Sequence, residues 1–237
     1  ATGSTAAIPP IPGLNDVPYL TNETIFNLHE QPKRLIVVGG GPIGCEMAQA
    51  HAQLGTPVTQ LVVGSILPKD DPDCVEYVRK SLLNDNIKLD EFIDSISRIE
   101  KQGADITVHY EIGGKAHAVT GSHLLMATGR KANIDKLGLE KAKVKTDERS
   151  IMVNKTLRSS NRRIFAIGDV AGGFQFTHVA AYHAGIVIRN TLFKLSAKVD
   201  SRAIPWVTYT QPEMAHVGMS KKEALECFKK PHIIEMK

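Results

Sequence analysis

The chain has 237 residues, 42% of them hydrophobic, which is room for one large or two ordinary domains with a real core. The net charge of +4 arises from 29 basic and 25 acidic residues, with only short lysine pairs, so we expect a solvated surface and no nucleic-acid partner. Apolar runs fall far below the ~18 residues of a membrane span, and we expect a cytoplasmic protein with no membrane association.

The cysteines and histidines indicate no metal centre. The three cysteines, Cys45, Cys74 and Cys227, are odd in number and lack C-x-x-C spacing, so neither a disulfide framework nor a zinc site is encoded. The histidines are scattered, and His178 and His183 are five positions apart, a spacing that does not place them on one helical face. We therefore predict no metal site and a reducing compartment.

The first thirty residues predict a connection and then a short helix. Prolines around residues 8–13 stiffen an extended crossing between domains. Residues 22–30 predict a helix capped near Thr21 or Asn22, and Pro32 ends it.

Residues 35–63 predict a strand, a glycine-rich turn, a helix and a second strand. The apolar run 35–38 is typical of a parallel strand buried on both faces. Three glycines follow with the spacing G-x-G-x-x-G: Gly39, Gly41 and Gly44. In this motif the first glycine makes a tight turn, the second lets the backbone approach a pyrophosphate, and the third lets the helix pack on the strand. Pro42 fits the helix start and Gly55 its end, so we predict a dinucleotide-binding unit, with a merely structural glycine turn as the alternative.

The later pattern predicts a helix, a meander and further strands. Four apolar residues recur at helical spacing and predict a buried helix face: Val75, Val78, Leu82 and Leu83. Residues 93–120 alternate as three strands of a meander, and residues 123–127 predict another buried strand. Later predicted strands span residues 151–153, 164–167 and 206–210. Ser220 and Glu223 predict the capping box of a last helix.

Five segments in this order resemble the FAD-dependent pyridine nucleotide–disulfide oxidoreductases, in the mercuric reductase and dihydrolipoamide dehydrogenase branch. They read Ala-Thr-Gly-Ser at 1–4, Gly-Gly-Gly-Pro-Ile-Gly-Cys-Glu at 39–46, Ala-Thr-Gly-Arg at 127–130, Ala-Ile-Gly-Asp-Val at 166–170 and Val-Thr-Tyr-Thr-Gln-Pro-Glu at 207–213. The resemblance runs the whole length of the chain. It implies an α/β fold in which an NAD(P)-binding domain interrupts an FAD domain and a dimerisation domain follows.

The resemblance also implies boundaries. Residues 1–20 would be an FAD-domain segment and crossing, and residues 21–130 a Rossmann-like NAD(P)-binding domain of parallel sheet plus β-meander. Residues 131–200 would return to the FAD domain, and residues 201–237 would begin an α+β dimerisation domain of a homodimer. The redox cysteine pair and the His–Glu pair of the family would lie outside this chain, so no catalytic residue is assigned within it.

The resemblance implies contacts to both cofactors. The NAD(P) candidates are Gly39, Gly40, Gly41, Pro42, Ile43, Gly44, Glu46, Val62, Ile96 and Gly129. The FAD candidates are Thr2, Gly3 and Ser4, which would line the cofactor, and Asp169, which would hydrogen-bond its ribityl chain. Four further FAD candidates would approach the isoalloxazine: Gln175, Phe176, Thr177 and His178. Two alternatives stay open, Asp169 as a helix cap and Glu46 as a complement to the helix dipole. We expect Cys45 to be a packed residue and not a nucleophile.

The chain departs from the usual dinucleotide pattern at the end of the second strand. An acidic residue about twenty positions after the glycines normally binds the adenosine ribose, or an arginine binds its phosphate. Here residues 60–65 read Gln-Leu-Val-Val-Gly-Ser, and Lys69 is the nearest cation. We expect Val62 beside the ribose, and the choice between NADH and NADPH stays open.

We therefore predict the NAD(P)-binding portion of a flavoprotein oxidoreductase. Its reaction would be hydride transfer between nicotinamide and flavin, followed by electron transfer to a disulfide or a metal ion. The alternatives are a non-catalytic dinucleotide-binding or redox-sensing module, and a structural scaffold that binds no nucleotide.

Overall fold

A computed structural model describes residues 1–236, so Lys237, the end of the predicted segment 201–237, lies outside the described residues. The strands in chain order are β1 (Ser4–Ala6), β2 (Leu35–Val38), β3 (Val58–Leu61), β4 (Lys88–Asp90), β5 (Ser95–Gln102), β6 (Asp105–Ile112), β7 (Lys115–Gly121), β8 (His123–Met126), β9 (Arg130–Ala132), β10 (Trp206–Thr208) and β11 (Met214–His216). The α-helices are α1 (Pro42–Gln53), α2 (Pro72–Asn84), α3 (Thr177–Thr191) and α4 (Lys221–Cys227).

The chain divides into two compact units. The larger unit comprises Ala6–Gly129 and the described residues from Val207 onward, and the smaller unit comprises Ala1–Thr5 and Arg130–Trp206. The boundaries near residues 20, 130 and 200 that the resemblance implies stay a prediction.

The larger unit is built on a four-stranded parallel sheet with the order β4-β3-β2-β8. Leu35 on β2 pairs with Val58 on one side and His123 on the other. The order is that of the first four strands of a doubly wound dinucleotide-binding sheet, and it confirms a mixed α/β fold with a parallel sheet.

Helices and meander cover opposite faces of this sheet. Leu35 and Val37 pack in one core cluster with residues of α1 and α2, whereas Ile36 and Val38 pack in a second cluster with residues of β5 and β6. The alternation follows from the two-residue period of a strand. The predicted meander is confirmed as the antiparallel sheet β5-β6-β7.

Helix α1 begins and ends where the sequence predicts, and α2 forms at the predicted apolar spacing. Pro42 opens α1, and Gly55 follows its end with φ +89°. Asp71 caps α2 by accepting the Asp73 N–H at 3.0 Å. The expectation that Leu83 lies on the buried face of α2 is wrong, because it is 50% exposed, one residue round the helix from the buried Leu82.

The predicted helix at 22–30 and the predicted capping box of the last helix have different outcomes. The predicted helix 22–30 is reduced to one 3₁₀ turn, Ile25–Asn27, preceded by a local turn in which the Thr21 N–H donates to the Thr24 hydroxyl at 2.9 Å. The capping box of α4 is confirmed: the Ser220 side chain accepts from the Glu223 N–H and the Glu223 side chain accepts from the Ser220 N–H.

The smaller unit pairs β1 with β9 and buries a small apolar cluster that includes Val144, Ile151 and Val170. The predicted strands at 151–153 and 164–167 are wrong, because these residues form only isolated bridges. The Asn154 side chain accepts the Thr156 and Arg158 N–H groups, and this turn bends the chain before a strand can extend. Between residues 1 and 236, no helix is long and apolar enough to cross a membrane.

Candidate functional site

The predicted glycine loop joins β2 to α1 and is shaped by two close backbone approaches. Gly39 has φ +128°, and a Cβ there would lie 2.2 Å from the Ala127 carbonyl oxygen. A Cβ at Gly44 would lie 2.3 Å from the Gly39 carbonyl oxygen. Neither position admits a side chain, so the turn brings the start of α1 against the ends of β2 and β8.

The middle glycine faces open space. A Cβ at Gly41 would meet no atom within 4 Å, and Gly41 caps α1 without any side-chain hydrogen bond. The Cys45 N–H is bonded to the Gly41 carbonyl at 3.0 Å, so the N–H groups of Ile43 and Gly44 precede the first intrahelical bond. Open space beside bare N–H groups at a helix N-terminus fits a pyrophosphate.

The side chain of Gln60 holds the glycine loop in place through a hydrogen bond. The sequence analysis did not assign this role to Gln60. Its side chain is fully buried in β3, and its Nε2 donates to the Gly39 carbonyl at 2.9 Å. The available signal was a glutamine inside the largely apolar second strand predicted to end at residue 63. On the other side of the loop, the Gly40 carbonyl accepts the Leu67 N–H at 2.7 Å.

Glu46 is the fifth residue of α1, and its side chain is held by a segment that lies far away in the sequence. Its Oε1 accepts the backbone N–H of Tyr209 at 2.9 Å. Burial raises the pKa of the Glu46 carboxyl, and the Tyr209 hydrogen bond lowers it by less. The side chain is thus fixed by a hydrogen bond in addition to any effect of the helix dipole. A groove of about 360 Å³ runs beside it, lined by residues of α1 and by Tyr209, Thr210, Gln211 and Glu213.

Three other NAD(P) candidates have different surroundings. Val62 directly follows β3, at the end of the second strand as expected, but it is 2% exposed and its side chain packs in the core cluster shared with α1 and α2. Its position beside the ribose stays a prediction. Ile96 lies on β5 and packs against the meander-side cluster. Gly129 has φ +117°, and a Cβ there would meet no atom within 4 Å.

Cys45 is a packed residue, as predicted. It is fully buried, and its thiol donates weakly to the Gly40 carbonyl at 3.6 Å. Burial raises the pKa of the thiol to about 12, so the thiolate that a nucleophile needs is disfavoured.

In the smaller unit, the structure brings the first FAD candidates together. The Ser4 hydroxyl donates to Asp169 Oδ2 at 2.5 Å, and Arg130 Nε donates to the Ser4 hydroxyl at 2.7 Å. Thr2 and Gly3 are held by Asn133, which takes part in bonds to both residues. Asp169 lies inside a 3₁₀ turn, Gly168–Ala171, that has no side-chain cap, so the alternative of a capping aspartate is not observed.

Asp169 retains an unused acceptor. Its Oδ1 receives no hydrogen bond from any of the residues that the structure describes, while a Cβ at the neighbouring candidate Gly3 would meet no atom within 4 Å. An acceptor beside an open backbone fits a hydroxylated ligand such as a ribityl chain.

The remaining FAD candidates lie at the start of α3. The rings of Phe176 and His178 stack with centroids 5.4 Å apart, and His178 Nε2 is bonded to the Pro205 carbonyl at 2.9 Å. Thr177 is the exposed first residue of α3, and Gln175 is half-buried. Across residues 1–236, no three metal-binding side chains cluster, and all three cysteines are free thiols.

Comparison with known proteins identifies the family of this chain. Residues 1–184 match the family model described as pyridine nucleotide-disulphide oxidoreductase. The chain is 40% identical to mercuric reductase of Staphylococcus aureus over 228 residues, which is 95% of this chain and 42% of that protein. It is 31% identical to dihydrolipoyl dehydrogenase of Bacillus subtilis (strain 168) over 206 residues, 86% of this chain and 44% of that protein.

A solved structure is also similar. The HOCl-induced flavoprotein disulfide reductase RclA from Escherichia coli superposes with a TM-score of 0.88 at 31% identity, covering 95% of this chain and 52% of that one. The chain thus spans about half the length, or less, of the relatives that it matches. The predicted resemblance is confirmed, and the chain belongs to the pyridine nucleotide-disulphide oxidoreductase family.

Proposed function

We propose that this chain is the NAD(P)-binding portion of an FAD-dependent oxidoreductase. The single observation that carries the proposal is the glycine loop. Gly39 and Gly44 are fixed by backbone contacts, whereas Gly41 alone faces open space beside the bare N-terminus of α1. A purely structural turn has no need of that opening.

The residues of each unit have distinct proposed roles. The N–H groups of the first turn of α1 would hold the pyrophosphate, and Glu46, fixed by Tyr209, would lie beside the nicotinamide half. Asp169, oriented by Ser4 and Arg130, would accept a hydrogen bond from a flavin hydroxyl. When bound, NAD(P)H supplies a hydride and FAD accepts it.

We further propose a terminal electron acceptor, a cofactor preference and an oligomeric state for the complete enzyme. The similarity to mercuric reductases and to flavoprotein disulfide reductases supports a metal ion or a disulfide as the terminal acceptor. Residues 60–65 carry no charge, which supports a shallow preference between NADH and NADPH. We propose a cytoplasmic homodimer for the complete enzyme.

The test is calorimetric titration of the chain with NADH, NADPH and ADP-ribose. Gly41→Val places a side chain where the pyrophosphate must approach, and we expect at least about a tenfold loss of affinity, near 1.4 kcal/mol. Folding should be preserved, because the position is open and its backbone is extended.

The matched control is Gly185→Ala on α3, where an added Cβ also meets no atom within 4 Å. It should leave nucleotide affinity unchanged. If the wild-type chain binds none of the three nucleotides, the scaffold alternative is correct and the proposal fails. A colourless preparation that still binds nucleotides would favour the non-catalytic module.

A further inference from the structure

Two large apolar side chains stand exposed at the carboxyl edge of the parallel sheet. Val63, just beyond β3, is 70% exposed, and Phe92, just beyond β4, is 65% exposed. Both follow neighbouring parallel strands, which end at the same edge of the sheet. In open α/β sheets this edge is where ligands bind.

Backbone hydrogen bonds hold the two segments side by side. The Phe92 N–H donates to the Gly64 carbonyl at 2.8 Å, and the Ile93 N–H donates to the Val62 carbonyl at 3.1 Å. Val62 and Ile93 are both 2% exposed, so the residues flanking Val63 and Phe92 are fixed in the core. The exposed pair therefore belongs to a rigid edge.

Phe92 also adopts an unfavourable backbone conformation. Its φ is +57°, in the left-handed region that bulky residues rarely occupy. The preceding residue, Glu91, is bonded to Arg79 at 2.7 Å and accepts the Ile66 N–H at 2.8 Å, so the surroundings impose this conformation. Strain of this kind at a ligand-binding edge is a sign of function.

We propose that Phe92 and Val63 form the adenine platform of the bound dinucleotide, with the Phe92 ring stacking on the base. A dinucleotide whose pyrophosphate lies at the N-terminus of α1 extends its adenosine half over the end of β3. Residues 60–65 offer no charge to a ribose, so apolar contact with the base replaces that recognition. This inference rests on the proposed function, and Phe92 and Val63 would be the residues that contact the adenosine half of the dinucleotide.

The experiment uses the full chain and three variants, titrated with ADP-ribose and with nicotinamide mononucleotide, which lacks adenine. Phe92→Gly removes the ring and suits φ +57°, so we expect about a tenfold weaker affinity for ADP-ribose with an unchanged or higher melting temperature. Phe92→Tyr keeps the ring and should bind as the wild type does. Affinity for nicotinamide mononucleotide should not change.

Phe26→Ala is the matched control, since Phe26 is 74% exposed on a 3₁₀ turn of the same unit. It should leave ADP-ribose affinity unchanged. Wild-type affinity for ADP-ribose in Phe92→Gly, or an equal loss for both ligands, would overturn the platform while leaving the proposed function intact. Failure of the wild type to bind ADP-ribose would overturn both.

Discussion

Tyr209 donates its backbone N–H to Glu46 Oε1 at 2.9 Å, joining residues that lie 163 positions apart in the sequence. Gln49, one turn further along α1, holds the same segment by bonding both backbone groups of Gln211. Its Oε1 accepts the Gln211 N–H at 2.7 Å, and its Nε2 donates to the Gln211 carbonyl at 3.0 Å. The amide of Gln49 thus fixes the segment that orients Glu46.

Gln49→Ala should destabilise the chain by about 2 kcal/mol, because the Gln211 N–H loses its acceptor at a site where Gln49 is 3% exposed. Urea denaturation at pH 7 measures the effect. Gln53→Ala is the control, since Gln53 lies on the same helix and makes only exposed side-chain bonds. Equal losses of stability in the two variants would contradict this role of Gln49.

Val62→Glu should destabilise the chain by about 3 kcal/mol or more, because it places a carboxylate in the apolar cluster around Val62, which is 2% exposed. Val63→Glu, at the adjacent position with 70% exposure, should change stability by less than about 0.5 kcal/mol. Thermal denaturation of both variants gives the comparison. A stable Val62→Glu protein with tighter NADH binding would show that the side chain reaches the ribose after all.

Glu91→Gln should cost about 2 kcal/mol at pH 7, because Glu91 accepts charge-assisted bonds from Arg79 and a bond from the Ile66 N–H. Burial raises the pKa of Glu91, but the bonds from Arg79 and Ile66 outweigh it, so the pKa is lowered overall from 4.5. A carboxylate with a lowered folded-state pKa stabilises above its unfolded pKa, and that stability is lost as pH falls through the folded value.

The difference between wild type and Glu91→Gln should therefore shrink as the pH of urea titrations is lowered below about 4.5. Glu76→Gln removes the other carboxylate bonded to Arg79, and because the Glu76 side chain is 47% exposed the effect should be small. A gap that stays constant down to pH 3 would contradict the assigned ion pair.

His183 should make the stability of the smaller unit fall in mild acid. Its Nδ1 accepts the Gly168 N–H at 3.2 Å, and burial lowers its pKa from 6.5. Because the folded state favours the neutral ring, its stabilisation is present above pH 6.5 and is lost as pH falls through the lowered folded pKa. His183→Gln keeps an acceptor but does not titrate.

The expected result is that wild type loses stability faster than His183→Gln between pH 6.5 and 5, by a slope of at most about 1.4 kcal/mol per pH unit. Chemical denaturation monitored by the fluorescence of Trp206, which lies at the end of the smaller unit, gives the measurement. Parallel pH profiles would show that His183 does not couple to folding.

The sequence by itself determined the local chemistry of this protein. The glycine spacing at 39–44, the meander signals and the Ser220 capping box each depend on the conformational preferences of a few adjacent residues, so they could be read without a structure. The resemblance of five short segments was enough to predict the family. Local patterns failed at 151–167, where side-chain turns compete with strand pairing.

Only the tertiary structure decided which residues meet. The Tyr209–Glu46 bond, the support of Gly39 by Gln60, and the burial of Val62 beside the exposed Val63 depend on strand register and on segments distant in sequence. A strand directs alternate side chains to opposite faces, and the packing on each face decides whether a residue beyond its end is buried or open to a ligand. For that reason the sequence predicted a nucleotide site at this edge, but only the structure shows that Val62 is buried there while Val63 and Phe92 are exposed.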